Sequence, residues 1–192
     1  MFQKGQKMLV VAAHPDDEVL GCGGTIRKAV DCGVQVMVQF LGEGISARFP
    51  FGQYDSDAFR SQTQIRLEGS KKALDVLGVH RSVYGERLCG QFDKYPLISI
   101  VKDIETVLED FAPDFLFTHN LSEVNIDHKI AYEAVEVACR PTRSFVPTEI
   151  YAFEIVCSGS WTFDTSFRPN TFIDVSAQWE KKLQAWSCYE GE

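Results

Sequence analysis

The sequence predicts an α/β domain in which a mostly parallel sheet carries helices on both faces. Three observations point there. Strands such as MLVVAA (8–13) and DFLFTH (114–119) are continuous apolar runs, as strands covered on both faces are. They alternate along the chain with helical, amphipathic stretches. The unusual polar residues cluster just after strand ends, where open α/β sheets bind ligands.

The elements follow in order. MLVVAA (8–13) leads to a helix over 18–32, then to the strand VQVMVQF (34–40). A glycine-containing loop opens a long helix over 56–77, on which Ile65, Gly69, Ala73 and Leu77 recur every fourth residue as an inward stripe. Residues 97–111 repeat that pattern with Leu97, Val101, Ile104, Leu108 and Phe111. The strand 114–119 and a helix over 128–139 come next. EIYAFEI (149–155) and TFIDV (171–175) read as later strands, and 176–190 as a last helix with Trp179, Leu183 and Trp186 on one face. No repeat, low-complexity tract or linker divides the chain, so residues 1–192 form one domain. The chain stops at Glu192 inside a helical pattern without a stop signal, so a short form or a truncated C-terminus is expected.

Composition removes several function classes. Nineteen Lys and Arg against twenty-seven Asp and Glu leave a net charge of −8, which repels nucleic-acid backbones and anionic lipid. No apolar run is long enough to span a bilayer, and the N-terminal one is too short for a secretory signal. A cytoplasmic protein without membrane insertion is therefore expected. Cysteines 22, 32, 89, 139, 157 and 188 form no C-x-x-C pair, so reduced and mostly buried thiols are expected. A homo-oligomer is compatible with the sequence but not specified by it.

The chemistry concentrates in AHPDDE (13–18), one imidazole and three carboxylates on a turn between a buried strand and a helix. His14 and Asp17 are three apart, so one turn can aim both at a single ion. Helix capping would explain one aspartate, but neither the second nor the histidine. NIDH (125–128) lies at the matching end of another strand, and its His128 would complete a two-His, one-carboxylate set. That is the ligand number of a catalytic zinc site, and it also suits ferrous iron. The glycines of GCGGT (21–25) raise a nucleotide-binding oxidoreductase as a rival. A dinucleotide fingerprint needs its glycines in the first turn, and here that turn is HPDDE. The glycines instead predict close approach of the first helix to its neighbours.

AHPDDEVLGCGGTI, GISAR, FDKYPL, THNLSEVNIDH and FIDVSAQWEKKLQAW together resemble the PIG-L/LmbE-like N-acetylglucosaminyl deacetylases over nearly the whole chain. The resemblance implies a Rossmann-like fold and zinc-dependent removal of an N-acetyl group from an N-acetylglucosamine-type sugar, a small-molecule partner. It implies His14, Asp17 and His128 as metal ligands and Asp16 as general base. Asp127 would orient a neighbouring imidazole, and His119 would be a second acid or a substrate contact. Arg48 and Arg66 fall where the family has substrate-facing or structural arginines. Hydrolysis of another small amide and a non-catalytic metal-binding module are the alternatives. The chain departs from the family at Asn125-Ile126, where well-known members carry His-Pro, and at Ser122-Glu123, where many have Gly-Asp. It departs again at CSGSW (157–161).

Overall fold

The computed structural model describes residues 1–142, 145–159 and 161–191. Five parallel strands make one sheet: β1 (Lys7–Ala12), β2 (Gln35–Gly42), β3 (Arg81–Arg87), β4 (Phe115–His119) and β5 (Glu149–Phe153). Their spatial order is β3-β2-β1-β4-β5, so the winding reverses between β1 and β4. Such a switch point opens a crevice at the carboxyl ends of the strands it separates. The helices are α1 (Asp17–Asp31), α2 (Asp57–Leu77), α3 (Leu97–Phe111), α4 (Ile126–Ala138), the short α5 (Val156–Gly159) and α6 (Trp179–Trp186).

The two apolar faces of β1 explain the layering. Met8, Val10 and Ala12 join the core under α1, α2 and α6, while Leu9, Val11 and Ala13 join the one under α3 and α4. All six are fully buried. Packing both faces of this strand against apolar neighbours leaves its exit turn little freedom to shift.

Eight of the expected elements fall within two residues of their observed bounds, among them the α4 helix, which starts two residues earlier than expected. Four expectations need correction. β3 (RSVYGER) was not anticipated, because it is a polar edge strand with Val83 exposed, held in part by Tyr84 stacking on Phe40. Residues 171–175 form no strand: Ile173 and Val175 are half-buried against the α1 side, and their alternation reflects packing on a helix. The last helix spans a 3-10 turn at Ser176–Gln178 and then α6 only to Trp186, with Trp179 and Leu183 exposed and Ala185 fully buried. Ile65 likewise lies outside the buried stripe of α2, which Gly69, Ala73 and Leu77 do form.

The glycines of α1 do serve close packing. A Cβ on Gly21 would sit 2.2 Å from the Phe153 ring, and one on Gly24 would sit 2.8 Å from Val175. The helix is interrupted between them, at Cys22, where φ is −143° and ψ 21°. All six cysteines are free, but only Cys22 and Cys139 are buried, so the thiols are less enclosed than expected. Among the described residues no helix is long and apolar enough to cross a membrane.

Candidate metal centre

The turn after β1 and the start of α4 meet at the switch point. His14, Asp17 and His128 each present a ligand atom within 4.8 Å of the others, and all three are buried. Asp17 lies between the imidazoles: its Oδ2 is 3.5 Å from His14 Nδ1 and its Oδ1 is 3.2 Å from His128 Nε2. Ligand atoms about 2.1 Å from an ion at tetrahedral angles stand about 3.4 Å apart. The donor set therefore fits a small divalent ion, with a carboxylate and two imidazoles of the softness zinc takes.

Each imidazole turns its other nitrogen to a second carboxylate. His14 Nε2 donates to Asp127 Oδ2 at 2.8 Å, and His128 Nδ1 is 3.3 Å from Glu123 Oε2. Such outer carboxylates fix the tautomer and the ring orientation of a ligand imidazole. Asp127 is itself held by backbone N–H groups of Gly90 at 2.5 Å and Phe92 at 3.0 Å. Glu123 is held by Ser158, whose hydroxyl donates to Oε2 at 2.6 Å. Burial alone would pull both imidazoles toward neutrality. The facing carboxylates win: Asp127 and Asp17 raise His14 well above its usual range, and Asp17 and Glu123 lift His128 to about 9. Asp17 shows the converse, since burial would raise it but His128 and His119 hold it well below the carboxylate range.

Asp16 follows another course. It occupies the N-cap position of α1 at φ 129°, ψ −32°, a conformation that strains a residue with a Cβ by about 1–3 kcal/mol. Its side chain caps no helix N–H, which removes the capping explanation. Instead its Oδ2 accepts from Arg66 Nη1 at 2.7 Å, and the same Nη1 reaches the Pro15 carbonyl at 3.0 Å. The Asp16 N–H is taken by Glu18 Oε2 at 2.9 Å, and Glu18 Oε1 accepts from the Tyr189 hydroxyl at 2.5 Å. Strained backbone persists where its surroundings over-determine it, and functional sites are where it collects. The Asp16 side chain is 18 % exposed against 4–7 % for the three donors, so it stands at the solvent edge of the cluster.

The remaining expected residues divide. Arg66 is buried on Asp16, and its pairing is enclosed rather than solvated. Arg48 is exposed, beside Arg66 and Tyr189 at a small cleft. Asn125 is the N-cap of α4, accepting from the Asp127 N–H at 2.9 Å, with its amide 3.3 Å from His128 Nε2. His119 is fully buried, stacked on His128 at 4.0 Å, and its Nε2 accepts the Ala13 N–H at 2.9 Å. Burial and the His128 charge bring it down to about 4. Fully enclosed, with its Nε2 also 3.4 Å from Asp17 Oδ2, it packs as a wedge behind the candidate ligand pair. The sequence reading also missed Glu18, Glu123, Tyr189 and Cys89 as members of this assembly. For Glu18 a signal existed, since it ends the HPDDE run. The CSGSW stretch includes Ser160, which lies outside the described residues.

The chain is similar to diacetylchitobiose deacetylase of Thermococcus kodakarensis, with 29% identity over 100% of this chain and 72% of that protein. It is also similar to 4-oxalmesaconate hydratase of Pseudomonas putida, with 26% identity over 96% of this chain and 73% of that one. Among solved structures, N,N'-diacetylchitobiose deacetylase from Pyrococcus horikoshii, complexed with its inhibitor MPG, shares the fold. That match has a TM-score of 0.73 and 24% identity, and covers 96% of this chain and 69% of that one. Residues 9–139, which include every ligand candidate and Asp16, match the PIG-L family, described as GlcNAc-PI de-N-acetylase, and the chain belongs to that family.

Proposed function

We propose that this protein removes the N-acetyl group from an N-acetylglucosamine-type sugar or sugar conjugate, using a zinc-class ion held by His14, Asp17 and His128. The observation that carries the reading is the split within one turn. Asp17 lies between the two imidazoles, while Asp16 stands at the solvent edge, paired with Arg66. A binding module would need only the first group.

An amide is a weak electrophile with a poor leaving group. A divalent ion at the cluster supplies carbonyl polarisation and a more acidic water. The protein's own residues do the rest. Asp127 and Glu123 keep the imidazoles turned to the site, and His119 packs behind them. Arg66 and Glu18 hold Asp16 in its strained conformation, with its carboxylate at the solvent edge of the cluster. There Asp16 takes a proton from the attacking water and delivers it to the departing amine. The deacetylase relative acts on an acetylated amino sugar by its name, which supports a substrate of that class.

The hydratase relative also adds water to its substrate, so the test has two arms. Purified protein with restored zinc is offered a panel of N-acetylhexosamine conjugates and, separately, an oxalmesaconate. Acetate release from the sugars is the expected result. Turnover of the unsaturated acid alone would move the function to hydration.

A further inference from the structure

On the Nε2 side of His14 a second group of donors converges. The His14 imidazole, the Cys89 sulfur and an Asp127 carboxylate oxygen lie within 4.8 Å of one another. Nε2 is the nitrogen that faces Asp127, and the Cys89 sulfur lies beside the same ring. The loop carrying Cys89 is pinned on both sides of the sulfur. The Cys89 N–H donates to Glu43 Oε1 at 2.9 Å, and the Gly90 N–H donates to Asp127 at 2.5 Å. Cys89 is half-buried, so an ion can reach it from solvent. The two donor sets share one imidazole but differ in softness, because only this one contains sulfur. Thiolate with imidazole favours thiophilic ions and rejects hard ones such as magnesium.

We propose that His14 Nε2, Cys89 and Asp127 form a second cation site for thiophilic divalent ions, and that filling it inhibits the enzyme. The proposal rests on His14 serving the first site through Nδ1. Binding at the second site releases the thiol proton and the Nε2 proton to solvent, leaving a thiolate and an imidazolate as ligands. The hydrogen bond from His14 to Asp127 is lost in the process. That bond orients the ring, so activity falls although the first ion stays in place.

The probe is cadmium, titrated into the metal-free chain of 192 residues. Two readouts are followed: sulfur-to-cadmium charge-transfer absorption in the ultraviolet, and ions retained per chain by elemental analysis. The wild type should retain a second ion, and that ion should bring the absorption band. Cys89→Ser should lose the band and the second ion, whereas His128→Ala should lose the first ion and keep the band. Excess cadmium should lower deacetylation of the zinc-loaded wild type by about 10–100-fold and leave Cys89→Ser within about twofold. Removing the exposed thiols, Cys32→Ser with Cys157→Ser, should leave the band intact, which keeps the test decisive if Cys89→Ser fails to fold. A band that survives Cys89→Ser, or vanishes with the exposed thiols, overturns the second site. A Cys89-dependent band with no His128-dependent ion would sink the first site instead and leave the second standing.

Discussion

The turn after β1 and the stretch after β5 contribute to one site but are built on opposite terms. In the turn, His14, Asp17 and Glu18 are all buried, and their partners come from α4 and from Tyr189 beyond α6. Past β5 the chain leaves Trp161, Phe163 and Phe172 at 74 %, 104 % and 82 % exposure. The difference follows from position in the sheet. β1 is central and packed on both faces, whereas β5 is an edge strand with Ile150 already exposed. A central strand end holds its groups rigidly enough for chemistry, and exposed aromatics beside it offer surface for recognition. The comparison predicts that changes in the turn alter the reaction, while changes past β5 alter binding.

The largest effect is expected within the turn itself. Asp16→Asn should lower kcat by about 10²–10⁴ with the metal content unchanged. Asp17→Asn should lose the metal. Elemental analysis beside kcat under saturating zinc checks both, and the opposite pattern would reverse the two roles. Arg66 pairs with Asp16 from α2, and its loss should resemble the first variant rather than the second.

Glu123 sharpens the comparison, since it joins the two regions: it faces His128 and is held by Ser158 of α5. Glu123→Gln should weaken zinc binding by about 10–100-fold, measured by chelator competition. An unchanged affinity would assign Glu123 to the peripheral segment and leave His128 without an outer carboxylate.

Glu18 tests the turn through stability. Burial raises its carboxyl from 4.5 to about 8, despite the Tyr189 hydroxyl and the Asp16 N–H that favour the anion. A folded-state value above the unfolded one stabilises fully below the unfolded pKa and is lost as pH rises through the folded one. The wild type should therefore lose stability relative to Glu18→Gln between about pH 4.5 and about pH 8, by an amount on the order of a few kcal/mol. Melting curves of both metal-free proteins at the two ends of that window give the difference. Parallel curves would show that Glu18 stays ionised in the fold.

The smallest effect on the fold is expected past β5. Trp161→Ala should change stability by no more than about 0.5 kcal/mol, as exposed substitutions do. KM for a large sugar conjugate should rise while kcat holds. A fall in kcat with KM unchanged would place the indole in the reaction and break the division between the regions.

Much of this was legible in one dimension. Continuous apolar runs identify the central strands because burial on both faces permits nothing else, and the helix over 97–111 was readable to its last residue. The convergence of His14, Asp17 and His128 was legible because metal chemistry needs a rare combination of side chains at rigid strand ends. Local pattern failed where packing is weak or shared. The edge strand β3 has no strong alternation, and the mixed apolar residues of 171–175 rest on α1 rather than in a ladder.

By itself the sequence determined the class of fold, the strand order of the chemistry along the chain, and the residue types able to hold an ion. Only the tertiary structure decided what stands behind them. His119 became a buried wedge, Glu123 the partner of His128, and Tyr189, at the far end of the chain, the support of Glu18. Those contacts join residues as many as 171 positions apart. No local spacing encodes them, because they exist only once the parallel sheet has brought its strand ends to one edge.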